Sequence, residues 1–150
     1  MKSVIIYASR HQGNTEKLVK SLAERFEIDL INGETVFQVD WEKYDLIGFA
    51  SGMDFGKFYP SVTALAEQLP AGKKLYSIHT CARDNEKYGS QIREIARRRD
   101  CVYLGRFACK GYNTYGPWKL IGGMNKRHPN GEDMERLAVF YEELLASLGA

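Results

Sequence analysis

Two periodicities divide the chain. Largely apolar runs at 3–8, 28–31, 46–50, 75–79 and 102–109, several of them nearly unbroken, read as buried strands. Between them the apolar positions recur with a period near 3.6. Leu18, Val19, Leu22, Ala23 and Phe26 share one face, Glu16, Lys17, Lys20, Glu24 and Arg25 fill the other, and the pattern predicts a helix over 14–26. A second helix opens at Pro60, carries Val62, Leu65, Ala66 and Leu69 on one side, and closes at Pro70. A third bears Tyr88, Ile92, Ile95 and Ala96 and ends in Arg97-Arg98-Arg99, basic residues that complement a helix C-terminus. The last bears Met134, Leu137, Ala138, Tyr141, Leu144, Leu145 and Leu148. A further extended piece is expected at 35–39. Strands alternating with helices predict an α/β fold: a doubly wound parallel sheet covered on both faces, formed by residues 1–150 as one domain.

The totals narrow the functional classes. The 150 residues suffice to bury roughly two thirds of the unfolded surface around one core. With 21 Lys+Arg against 19 Asp+Glu the net charge is +2, so bulk electrostatics gives no support for nucleic-acid binding. Cys81, Cys101 and Cys109 are odd in number and form no C-x-x-C pair, which argues against a disulfide framework or a zinc site. A reducing, cytoplasmic compartment is expected. No apolar run approaches the roughly 18 residues of a membrane span, so no membrane insertion is expected.

The chemistry sits in three loops. After the first strand come Ser9, Arg10, His11, Gly13, Asn14 and Thr15, then a helix. Hydroxyls, backbone N–H groups and the positive end of the helix dipole converge there, an arrangement suited to a phosphate. The third strand runs into Ser51, Gly52, Met53, Asp54, Phe55 and Gly56, and the fourth into Thr80, Cys81, Ala82 and Arg83, followed by Tyr88 and Gly89. In doubly wound sheets ligands bind beyond the carboxyl ends of the strands, and all three loops belong at that end. Cys81 reads as a small buried residue, His79 as a core histidine and His128 as a surface loop residue. Signalling receiver domains share such a strand order, but they need clustered acids after strand one and an aspartate ending strand three. Ala8-Ser9 and Ala50-Ser51-Gly52 stand at those places.

Three segments in order resemble the flavodoxins and flavodoxin-like FMN proteins across nearly the whole length. They are the phosphate loop 9–15, the third strand and its loop (Tyr44-Asp45-Leu46-Ile47-Gly48-Phe49-Ala50-Ser51-Gly52), and the closing helix over 131–145. The resemblance implies a five-stranded sheet of order 2-1-3-4-5, and FMN as cofactor. It also implies electron transfer with the flavin cycling between oxidised, semiquinone and hydroquinone states, and a separate reductase and acceptor protein as partners of a monomer. Residues 51–59 would line one edge of the ring and 80–89 the other. Gly52, Met53, Asp54 and Gly56 are candidates for the peptide that meets flavin N5, and Met53, Phe55, Phe58, Tyr59 and Tyr88 for ring contact, with core packing an equal alternative for Phe58, Tyr59 and Tyr88. An FMN-dependent oxidoreductase acting on NAD(P)H, a quinone or a porphyrinogen-like substrate is the alternative.

Two features depart from the family. Arg10 and His11 interrupt the usual Ser/Thr/Gly loop; Arg10 is expected to point to solvent, and His11 to meet either the phosphate or a carbonyl. Lys57, Arg83, Lys110, Lys119, Lys126 and Arg127 make the ligand-side loops basic where flavodoxins are acidic. The segment 110–131 carries Tyr112, Tyr115 and Trp118 among Gly111, Gly116, Gly122 and Gly123, and is expected to fold over the site.

Overall fold

The computed structural model describes residues 1–10, 13–111 and 127–149. In chain order the elements are β1 (Ser3–Ala8), α1 (Asn14–Arg25), β2 (Asp29–Asn32), a single 3-10 turn (Trp41–Lys43), β3 (Leu46–Asp54), β4 (Lys57–Phe58), α2 (Pro60–Ala66), β5 (Lys74–Cys81), α3 (Ser90–Arg98), β6 (Val102–Lys110) and α4 (Gly131–Ser147). The parallel strands lie in the order β2-β1-β3-β5-β6, and the short β4 folds back antiparallel on the end of β3. Counting only the five parallel strands, this is the order 2-1-3-4-5.

Strands buried on both faces explain the largely apolar runs. On one face Val4, Ile6, Ile47, Phe49 and Leu75 pack against Val62 and Leu65 of α2 and Ile92 and Ile95 of α3. On the other, Ile5, Leu46, Tyr76, Ile78 and Phe107 pack against Leu18, Val19 and Leu22 of α1 and Leu137, Ala138 and Tyr141 of α4. Leu18, Val19 and Leu22 are at most 1% exposed, so each contributes roughly 1.5–3 kcal/mol by leaving water.

Several boundaries differ from the sequence expectation. Residues 35–39 form no strand; Val36 and Val39 instead lean on the core from a loop. Ser51–Asp54 and Thr80–Cys81 extend β3 and β5 rather than opening loops, because β1, β3, β5 and β6 keep pairing as far as Gly52 and Cys81 and the short β4 then pairs with Met53 and Asp54. α2 stops at Ala66, short of Pro70, and Tyr88 precedes α3 instead of lying on its face. Among the described residues no helix is long and apolar enough to cross a membrane.

Candidate functional site

Register brings the candidate loops to one end. Ala8 pairs with Ser51, Ser51 with His79, and His79 with Ala108, so the carboxyl ends of β1, β3, β5 and β6 fall in line. The strand order reverses between β1 and β3, the position where doubly wound sheets open a crevice.

The first loop enters α1 through Gly13, whose φ of +70° is left-handed and whose absent Cβ would meet none of the described residues within 4 Å. Glycine is required there by the backbone turn, since none of the described residues crowds it. Ser9 Oγ accepts the Glu16 N–H at 3.1 Å and thereby caps the first turn. Thr15 is 1% exposed, and its hydroxyl lies 3.0 Å from that of Thr80 on β5, which ties the helix N-terminus to the end of the neighbouring strand. Asn14 packs against Gly111, where a Cβ would come within 2.5 Å of the amide nitrogen. Arg10 reaches sideways. Its Nε donates to Glu34 at 2.8 Å, and its guanidinium stacks 4.3 Å above the Tyr59 ring, so a residue expected in solvent is held by two neighbours. His11 lies outside the described residues, as do Tyr112, Tyr115, Gly116, Trp118, Lys119, Gly122, Gly123 and Lys126.

The second loop is a hairpin. Met53 pairs with Phe58 and Asp54 with Lys57, leaving Phe55 and Gly56 at the tip with φ of +52° and +77°. Phe55 is 91% exposed, an aromatic ring presented at the carboxyl end of the sheet. Phe58 and Tyr59 instead enter the core at 2% exposure each. The Ser51 hydroxyl accepts the Tyr59 N–H at 2.9 Å and donates to the Gly52 carbonyl at 2.6 Å, closing the hairpin base.

The third loop leaves β5 after Cys81 and returns to α3 at Gly89. It carries Ala82, Arg83, Asp84 and Tyr88. Arg106 of β6 spans it with a bidentate pair to Asp84, Nη1 to Oδ1 at 3.1 Å and Nη2 to Oδ2 at 3.0 Å. Burial alone would raise the Asp84 carboxyl, but hydrogen bonds from Arg106 and His79 outweigh it and hold it below its ordinary value. Burial lowers His79, partly offset by Asp84. Burial pushes the Cys81 thiol up to about 12, so this cysteine is a packed neutral group and not a thiolate. His79, Cys81 and Asp84 offer ligand atoms within 4.8 Å of one another, yet the Arg106 guanidinium already supplies the cation of this cluster. Neither Asp84 nor Arg106 was prominent in the sequence. The available signal was an arginine inside the apolar strand 102–109.

A second histidine also has a carboxylate partner. His128 Nδ1 lies 2.7 Å from Asp133, which is 3% exposed and forms a capping box with Asn130 at the start of α4. Residue 128 is thus anchored to the helix and only one third exposed.

No protein-family model matches the chain. It is 37% identical over 148 residues to an uncharacterised protein of Methanocaldococcus jannaschii, MJ0298, covering 97% of this chain and 99% of that one. Among solved structures it is similar to a flavodoxin from the domain Archaea (13% identity, TM-score 0.66, all of both chains). A flavodoxin of Streptococcus pneumoniae TIGR4 is similar too (16%, TM-score 0.66, 98% of this chain and 99% of that one). So is a flavoprotein of Lactobacillus acidophilus NCFM solved in complex with FMN (19%, TM-score 0.57, 72% of this chain and 93% of that one). The chain belongs to one family with the M. jannaschii protein, and its fold is the flavodoxin-like fold.

Proposed function

We propose that the chain binds FMN at the carboxyl ends of β1, β3 and β5 and carries electrons between larger redox proteins. The contact between Thr15 and Thr80 carries this reading, because it brings a helix N-terminus and its hydroxyl loop onto the strand that ends in the third loop. Ser9 and Thr15 would hold the phosphate, and the hairpin tip and residues 82–89 would hold the flavin ring. The donor set fits a phosphate ester: Ser9 and Thr15 hydroxyls, a glycine turn uncrowded by the described residues, and the positive end of α1. The complex of the L. acidophilus flavoprotein with FMN, on a similar fold, supports the same ligand.

FMN, when bound, supplies the redox chemistry. The chain's own residues anchor the phosphate, hold the ring plane between two loops and set the charge around it. At the third loop the carboxylate of Asp84 is already committed to Arg106 and His79, whereas Asp54 at the hairpin carries an exposed carboxylate.

Titration of the cofactor-free protein with FMN is expected to quench flavin fluorescence to a one-to-one endpoint. Absence of quenching at micromolar protein overturns the FMN reading. The loaded protein is expected to be reduced by a separate reductase and to leave NADPH unconsumed by itself; steady NADPH oxidation would place it among the flavin enzymes.

A further inference from the structure

The loop over 82–89 is held from beneath by two strands. Besides its bidentate pair with Asp84, Arg106 Nη1 donates to the carbonyls of Asn85 at 3.4 Å and Tyr88 at 3.3 Å. From β5, His79 Nε2 meets Asp84 Oδ1 at 2.9 Å. The His79 side chain is wholly buried, with Phe58 and Tyr88 edge-on to its ring at centroid distances of 6.2 and 5.9 Å. Its Nδ1 has no hydrogen-bond partner among the described residues. An ionised Asp84 accepts from Nε2–H, which selects the tautomer that leaves Nδ1 bare. Tyr88 extends the chain of contacts to the hairpin: a Cβ at Gly56 would stand 3.1 Å from its ring.

We propose that His79, Asp84 and Arg106 are positioning residues that lock the 82–89 loop against the β3–β4 hairpin, and that the lock holds only while His79 is neutral. The ligand side of this proposal rests on the FMN reading, whereas the lock is a property of the cofactor-free chain.

The surroundings of His79 explain why its proton matters. Its own strand offers Cys81 and Ser77, the Ser77 hydroxyl being 2.6 Å from that of Tyr103. The loop offers Asp84 and Tyr88, β4 offers Phe58, and β6 offers Arg106 and Tyr103; Arg93 of α3 lies over the far side of the Tyr103 ring at 5.6 Å. Asp84 and Arg106 are the charged pair in contact and they cancel. A proton on Nδ1 adds an N–H to a buried position with no acceptor among the described residues and a second positive charge 3.3 Å from the Arg106 guanidinium. Opening the loop relieves both.

Amide hydrogen exchange on the cofactor-free protein tests the lock, with FMN affinity measured in parallel from pH 5 to 8. At pH 7.5, Asp84→Asn and His79→Leu are expected to lower protection of the 82–89 amides about tenfold while amides of β1 and β3 stay protected. In the same variants FMN binding weakens about tenfold. His79→Gln keeps a donor toward Asp84 and cannot titrate, so it is expected to restore protection and to remove the weakening of FMN binding expected of the native chain as pH falls toward 5. Unchanged 82–89 protection in Asp84→Asn, or a native pH profile in His79→Gln, overturns the proposal. Should His79→Leu fail to fold, the half-exposed Asp84 position still decides. If the native protein binds no FMN yet its loop protection responds as stated, the FMN reading falls and the lock stands.

Discussion

Thr15 and Gly13 separate two ways in which one residue shapes the site. Thr15 is buried against Thr80, so Thr15→Ala removes a hydroxyl from the loop and from the strand contact together. The loss is expected to be about 1 kcal/mol or more, a five- to tenfold weaker FMN affinity by fluorescence titration. Thr63→Ala, on α2, serves as the comparison: its hydroxyl bonds only the Pro60 carbonyl, and affinity should stay at the native value. A Cβ at Gly13 would meet nothing within 4 Å among the described residues, so Gly13→Ala reads out backbone strain. A drop of about 1–2 kcal/mol in unfolding free energy is expected from denaturant titration. At this scale the sequence was informative about residue type and silent about partners. Ser9, Gly13 and Thr15 stood out because hydroxyls and glycine before a helix have few local uses. Arg10 did not reveal its attachment to Glu34 and Tyr59, which are 24 and 49 positions away and meet it only through the fold.

Among the elements, α1 matched its periodicity, α2 and α3 came out shorter than theirs, and β3 and β5 outran their apolar runs. The 3.6-residue pattern located α1 to within one residue, because its buried face is continuous. β3 and β5 continued through polar residues such as Ser51, Asp54 and Thr80, since ladder hydrogen bonds accept any side chain once the neighbour is in register. The piece expected at 35–39 forms no strand: Val36 and Phe37 are adjacent apolar residues rather than an alternation, and Phe37 is 94% exposed while Val36 and Val39 rest on the core. The start of α4 provides a direct test of local capping. Asn130 accepts the Asp133 N–H at 3.0 Å and the Asp133 side chain returns to the Asn130 N–H at 2.9 Å. Asn130→Ala is expected to cost about 1 kcal/mol of stability, read as a lower midpoint in denaturant.

Charge acts on the molecule as a whole. His79 sits below its ordinary value in the folded chain, so folding favours its neutral form. The associated stability is complete above the unfolded value of about 6.5 and is lost as pH falls from there toward the lowered folded value. Asp84 and Asp133 are also held low; their contribution is complete above about 3.9 and is lost as pH falls through their folded values. Thermal unfolding should therefore lose stability in two stages on acidification, and His79→Gln should remove its share of the first. Near the site, Lys57, Arg83, Lys110 and Arg127 form no salt bridge among the described residues, in contrast to Arg10, Arg106 and Arg136. Unpaired cations favour the more negative reduced flavin, so Arg83→Glu with Lys57→Glu is expected to lower the second one-electron potential, by about 59 mV for each 1.4 kcal/mol removed. A redox titration checks it.

By itself the amino-acid order determined the alternation of strands and helices, the sheet they form, and the three loops that meet at its carboxyl end. Those follow from burial and chain connectivity, which are written in local patterns. Only the tertiary structure decided which polar groups meet: Thr15 with Thr80, Arg10 with Glu34, and His79 with Asp84 and Arg106. Such pairs join residues on different elements, and their geometry is set by register and packing rather than by any spacing along the chain.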